Sequence, residues 1–505
     1  MAANSVRSPV ARVRNIPALL AVLAAGLLAL AGPAAANVPL TRISSDPFAN
    51  TTSQHATEVE PDTFANGSTV ISAFQVGRFF DGGGTDIGFS RSTDGGSTWT
   101  SGFLPGLTAS SGLPGATGAP YERVSDASVA YDAKRSTWLV SSIPIAFGSG
   151  NVPVVFVSRS TDGGATWRDP VSIPQPPARQ VDLDKNWTVC DNTASSPFYG
   201  HCYTEFDNFG QGDLEYMSTS SDGGRTWSTP VTTAGNDKGL GGQPLVQPNG
   251  TVVVPFESLN GKEAAFRSTN GGASWSKAAT ISGTRFADVA GPLRTSPLPV
   301  AEIDGAGNVY VAWEDCRFRK NCTSNDIVFS TSADGVTWSA VKRVPIDPVT
   351  SGADHFIPGL AVDKRTSGSG AHLALAYYYY PDATCTGGCR LDVGYISSPD
   401  GGSHWGNATQ LAGPMSLTDV ADTSQGRMVG DYISTSFNSA GTAVPVIAVA
   451  LPHTAAQPFD EAMYAPTTPL AVTPPSGAQN PASSAGASST TGQGTGTAHQ
   501  AVREK

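Results

Sequence analysis

The chain has 505 residues with 31 Lys+Arg against 42 Asp+Glu, a formal net charge of -11 and only 14% charged residues. So acidic a chain is a poor partner for nucleic acid or for anionic membrane surfaces. Nine Trp and 39% hydrophobic residues exclude global disorder, and 56 Gly with abundant Ser and Thr point to many short strands joined by tight turns.

At the start of the chain, Arg7, Arg12 and Arg14 form a basic region, an apolar run follows from Ala18 to Ala31, and Ala34-Ala35-Ala36 offers small residues for cleavage. This reads as a secretory signal over residues 1–36. The run is shorter than the ~20 residues that span a bilayer, so the expected mature form is secreted and monomeric, with no membrane insertion. Residues 37–466 are expected to fold. Residues 467–505, rich in Pro, Ser, Thr, Gly and Ala, are expected to be a disordered tail, with a cell-wall spacer as the alternative.

One pattern recurs through the middle of the chain. It reads STDGGSTW at Ser92–Trp99, STDGGATW at Ser160–Trp167, SSDGGRTW at Ser220–Trp227, STNGGASW at Ser268–Trp275, SADGVTW at Ser332–Trp338 and SPDGGSHW at Ser398–Trp405. Repetition at this spacing signals a stack of like supersecondary units. The chemistry is that of a hairpin turn. Asp94, Asp162, Asp222, Asn270, Asp334 and Asp400 can accept bonds from the backbone of their own turn, and the Gly residues supply positive φ. A β-rich run precedes each copy, as in VVFVSRS or IVFSTS, and a short strand follows it.

Six cysteines lie between these copies: Cys190, Cys202, Cys316, Cys322, Cys385 and Cys389. In an exported chain an even count in close pairs reads as disulfides. Local pairing (190–202, 316–322, 385–389) is the simplest connectivity, and a zinc site is the rival.

The copies resemble the Asp-box, or bacterial neuraminidase repeat, of the sialidase superfamily. The resemblance implies an all-β chain forming a single β-propeller of four-stranded antiparallel blades, with each box on the hairpin between the third and fourth strands. Six boxes give six blades. Three further strand-like runs after the sixth box, and the segment from Val38 to Asp62, imply a seventh blade closed by an N-terminal outer strand. Seven blades are favoured and six remain the alternative. Function is then expected on the face opposite the boxes, on the segments 105–126, 175–187, 314–326, 377–392 and 416–432.

The resemblance also implies a chemistry: an arginine cluster for a substrate carboxylate, a Tyr nucleophile activated by a Glu, and an Asp as general acid/base. Candidates here are Arg123, Arg294, Arg317 and Arg427 with Asp315 for substrate, Tyr432 as nucleophile, Glu314 and Asp126 as acids, and Glu257 as a further acid. The chain departs from the family in lacking its Arg-Ile-Pro motif; Arg78 is the nearest substitute in the early blade. The expected partner is a glycan or glycoconjugate. The expected function is exo-sialidase-like or related glycoside hydrolysis, and the alternative is a non-catalytic carbohydrate- or protein-binding propeller of the cell envelope. No cofactor is required by this chemistry, although Asp182 and Asp184, or Phe80–Asp86, could hold calcium. The run Tyr377–Tyr380 should place alternate rings on opposite sheet faces.

Overall fold

The computed structural model describes residues 38–111, 121–145, 152–455 and 457–473. The leader expected over 1–36 and the tail beyond residue 473 lie outside the described residues. The chain is all-β, in antiparallel sheets that follow one another in sequence. Four of them span residues 183–232, 239–283, 300–343 and 354–416. An eight-stranded sheet comprises two further four-stranded runs, over 58–103 and 123–172, joined through one residue pair, Gly84 with Val124. In a last sheet the strands Ser434–Phe437, Thr442–Ala450 and Glu461–Pro466 are completed by Leu40–Arg42, which pairs antiparallel with Tyr464–Pro466. Leu470 and Ala471 also pair, with Ala443 and Thr442, so ordered chain continues past the composition break at Thr467; Leu470 packs on the apolar cluster below.

Many of these strands are buried along both faces, because neighbouring sheets cover them. Ile71 and Phe89 pack with Val124 and Trp138 of the next group. Leu139 and Val157 pack with Phe206 and Tyr216, Tyr203 and Met217 with Phe256 and Phe266, and Leu245 and Val253 with Val311 and Trp313. Tyr310 and Phe329 then meet Leu360 and Tyr377, and Tyr378 and Leu391 meet Val446 and Met463. Each fully buried side chain of this size contributes roughly 1.5–3 kcal/mol. The tyrosine run obeys the two-residue period: Tyr377 lies in one inter-sheet cluster, Tyr378 and Tyr380 in the next. The first strands pack in chain order, Glu58–Asn66 on Arg123–Asp132, then Leu183–Cys190, Leu245–Val246, Val300–Ile303, Asp354–Val362 and Ser434–Phe437; this last strand lies against Glu58–Asn66. Among the described residues no helix is long and apolar enough to cross a membrane.

The six repeats are hairpin turns. In the first, Asp94 Oδ1 accepts from the Ser92 hydroxyl at 2.8 Å and from the Ser97 and Thr98 N–H groups at 3.1 and 2.9 Å, while Oδ2 accepts from the Thr98 hydroxyl at 2.6 Å. The Thr98 bonds hold this carboxyl down to about 2. Asn270 makes the same turn with an amide, its Oδ1 accepting from Ser274 N at 3.1 Å and its Nδ2 donating to Ser274 Oγ at 2.8 Å. The turns also fasten neighbouring sheets. Arg91, Arg159 and Arg267 donate across to carbonyls of the second, third and fifth turns (Gly163, Gly223 and Asp334) at 2.6, 2.6 and 2.8 Å. The box tryptophans reach back: Trp167 packs on Phe89, Trp275 on Tyr203 and Trp405 on Phe329, with ring centroids 5.7–6.2 Å apart.

The three local disulfides are formed: Cys190–Cys202, Cys316–Cys322 and Cys385–Cys389. The first ties a first strand to its second strand across residues 191–201.

If the box carboxylates serve the turn alone, Asp222→Ala should lower stability by about 1–2 kcal/mol, the value of the lost bonds. Asp222→Asn should cost less, because Asn270 already fills the same place in the fourth copy. Urea unfolding monitored by tryptophan fluorescence reads the difference, and equal midpoints for Ala and wild type would contradict this role.

Candidate functional site

At the end of the sheets opposite the boxes, several first strands begin with an irregularity. The registers shift between Val59 and Asp62, Ser125 and Ser128, Asp184 and Trp187, and Phe356 and Pro358. The extra residue in each case has positive φ: Glu60 at 57°, Asp126 at 52°, Lys185 at 53° and Ile357 at 49°. Non-glycine residues adopt this conformation at a cost and persist there only when packing enforces it. A bulge re-aims its side chain, and here three of the four are charged and converge.

Lys185 is the hub. Its Nζ lies 3.8 Å from Glu60 Oε1 and 3.9 Å from Asp126 Oδ1 and is hydrogen-bonded to Asp431. Arg294 grips the same Asp431 from another segment, with Nε donating to Oδ1 at 2.7 Å and a terminal nitrogen donating to Oδ2. Glu60 Oε1 accepts from the Asp431 backbone N–H at 3.0 Å, and Gln75 bridges Glu60, Ser125 and Arg78. All of these side chains are buried. Burial opposes ionisation of Asp431, but the Arg294 and Lys185 charges hold its carboxyl well below the usual range. Burial likewise opposes the Lys185 ammonium, and Asp431, Glu60 and Asp126 together raise it above its ordinary value. Gly430 makes the approach possible. At φ 143° its backbone lies so close to Glu60 that a Cβ would sit 3.0 Å from the Glu60 nitrogen.

Beside this cluster the Tyr432 ring meets Trp187 edge-on, with centroids 5.1 Å apart, and Lys185 Nζ lies 5.9 Å from the Tyr432 centroid. Trp187, Tyr432, Asn186, Gln243, Leu298 and Lys185 line a small recess. Of the sequence candidates, the fold thus brings together Asp126, Arg294 and Tyr432.

The others have different surroundings. Arg123 lies 4.2 Å over the Phe79 ring and pairs with Asp81. Arg427 donates to Val420 O at 2.9 Å, and its backbone pairs with that of Arg294. Arg317 is held on Asp315 through Nε at 2.9 Å and also bonds Ser282 and Gly283. Asp315 further accepts from Trp313 Nε1 and Arg285 N. Glu314 is fully buried, and its Oε2 accepts from Ile357 N at 3.0 Å, tying one sheet to the bulge of the next. Arg78 is buried on Gln75. Lys185, Glu60, Asp431 and Trp187 were not foreseen from sequence. Lys185 and Trp187 sit in the candidate segment 175–187, but no motif marked the bulge that turns Lys185 inward.

Asp326, Asp347 and His355 also cluster within metal-ligating reach. This donor set does not fit a cation, because Arg319 and Arg343 already ion-pair with both carboxylates. In the segments considered for calcium, Asp184 Oδ1 accepts from Lys185 N at 3.0 Å and Asp86 Oδ1 from Ile87 N at 2.9 Å.

A family model described as a BNR repeat-like domain matches residues 206–413. A sialidase of Bacteroides fragilis (strain YCH46) is 29% identical over 168 residues, 28% of this chain and 28% of that one. The match therefore spans little more than a quarter of that relative's length. Among solved structures, a Dyadobacter fermentans protein of unknown function is 15% identical with TM-score 0.45, over 71% of this chain and 99% of that one. The Hadza microbial sialidase Hz136 is 16% identical with TM-score 0.41, over 82% and 66%. The Trypanosoma rangeli sialidase in complex with sialic acid is 15% identical with TM-score 0.43, over 67% and 56%.

Two outcomes follow from the charges. Asp431→Ala strands two buried cations and should cost about 3–5 kcal/mol in chemical denaturation; a loss below 1 kcal/mol would show that the cations are not buried with it. The second concerns pH. Burial pushes the Glu58 and Asp86 carboxyls up to about 8, and Asp62, Glu215 and Asp354 up to about 7. Unfolded, these groups ionise near pH 4. The folded chain keeps protons that the unfolded chain releases, so stability present below about pH 4 is withdrawn as pH rises through 7 to 8. Tm should be higher at about pH 5.5 than at about pH 8.5; a Tm that rises across this interval contradicts the burial.

Proposed function

We propose that this chain, a BNR-repeat protein of the sialidase superfamily, is an exported propeller that binds glycans at the end of its sheets opposite the boxes. Seven blades are part of the proposal. Their support is the chain-order packing of the first strands and the pairing of Leu40–Arg42 in the last sheet. The observation that carries the glycan reading is the Trp187–Tyr432 pair lining a recess with the amides of Asn186 and Gln243. Aromatic rings suit the C–H faces of a sugar; the recess itself holds only about 20 Å³, so a sugar would rest across its mouth and not inside it.

Binding is favoured over sialoside hydrolysis by charge. Recognition of a sugar carboxylate needs guanidiniums free to meet it. Arg294 is bidentate on Asp431, and Arg317 and Arg123 are held by Asp315 and Asp81. The central cluster gathers Lys185, Arg294 and, through Gln75, Arg78 with Glu60, Asp126 and Asp431, three residues of each sign. An incoming carboxylate meets no net attraction there. Hydrolysis is the second reading, supported by the convergence of Tyr432 and Asp126 on Lys185.

A glycan array probed with the full chain should give saturable binding to neutral glycans, weakened about tenfold in Trp187→Ala, with no sugar released from a fluorogenic sialoside. A blank array sinks the binding reading. Sialoside turnover that disappears in Tyr432→Phe replaces it with catalysis.

A further inference from the structure

Four first strands, of which Glu58–Asn66 carries Glu60 of the charge cluster near its start, line a second cavity at their other ends. Glu58–Asn66 contributes Thr63 and Phe64, Asp354–Val362 runs on into Lys364, and Ser434–Phe437 contributes Ser436 and Phe437; Glu302 comes from the strand Val300–Ile303. The cavity holds about 300 Å³, the small end of the range for small-molecule pockets. It opens at the box end of the sheets, since Asn438 beside it donates to Gly95 O at 2.7 Å and Gly95 N donates to Ser68 O at 2.8 Å.

Its chemistry is specific in three ways. The charges cancel in place: Arg365 holds Asp363 through Nε at 2.9 Å and a terminal nitrogen at 2.7 Å, and Lys364 Nζ lies 3.8 Å from Glu302 Oε2. Neither a free anion nor a free cation is selected by two such pairs. The hydroxyls are gathered: Thr63 Oγ1 lies 2.8 Å from both Ser434 and Ser436 Oγ. The aromatic surface is only half-covered: Phe64, with Lys364 Nζ 5.3 Å from its centroid, and Phe437 are both partly exposed.

We propose that this cavity binds one neutral monosaccharide ring. Phe64 and Phe437 cover its C–H faces. Ser436 and Thr63 exchange hydrogen bonds with its hydroxyls, and Glu302 and Lys364 offer an acceptor and a donor to a vicinal pair. The site is separate from the Trp187–Tyr432 recess, shares no lining residue with it, and does not depend on the reading of that recess.

The test is ligand-observed NMR and calorimetry on the full chain with glucose, galactose, mannose and xylose. At least one sugar should saturate wild type and Trp187→Ala alike. Its binding should weaken at least tenfold in Phe437→Ala and in Lys364→Ala, the second a half-exposed position where folding is retained. Saturation by none of the four at roughly 10 mM overturns the proposal. So does binding that survives both cavity variants, or that is lost in Trp187→Ala and kept in Phe437→Ala.

Discussion

Lys185 and Arg294 are buried cations that share one carboxylate, and the arrangement of the site follows from that constraint. Removing an ammonium and a guanidinium from water costs several kcal/mol each unless matched charges meet them in good geometry. Asp431 meets both, and Glu60 and Asp126 complete the shell around Lys185. These five residues come from five segments spread between positions 60 and 431. Satisfying their charges fixes how the first strands begin, why three of them bulge, and why residue 430 carries no side chain. The neighbouring Tyr432 is thereby set against Trp187.

The two ends of the sheets solve different problems. At the box end, the Asp side chains are satisfied within their own turns and held ionised by Thr, Ser and backbone donors. Nothing in that bonding calls for substrate. The arginines and tryptophans flanking the turns reach sideways to the adjacent sheet, so the repeat acts as a fastening between sheets. At the start end, charges are satisfied across sheets, and aromatic rings are left facing a recess. Recognition is then expected where residual surface is amphipathic, which is true of the recess and of the box-end cavity.

Much of this was legible in the sequence. The six repeats announced hairpins because Asp-Gly and Asn-Gly carry turn geometry in the residues themselves. Close cysteine spacing announced the three bridges, and two-residue alternation announced the split burial of Tyr377 and Tyr378. The site was legible only in part. Asp126, Arg294 and Tyr432 do converge, but the groups that decide their chemistry, Lys185 and Asp431, lie in no motif. Their roles depend on bulges and on contacts between residues up to 371 positions apart, and no local pattern encodes those. Arg317 and Asp315 looked like a substrate site because they adjoin a disulfide; they bind each other, since a guanidinium two residues from a buried carboxylate finds it before any ligand does.

The buried cations are already neutralised and do not receive a sugar carboxylate. Calorimetric titration of the full chain with free sialic acid tests this most directly. No saturable heat is expected; saturable binding at submillimolar concentration would contradict the neutralisation of these cations.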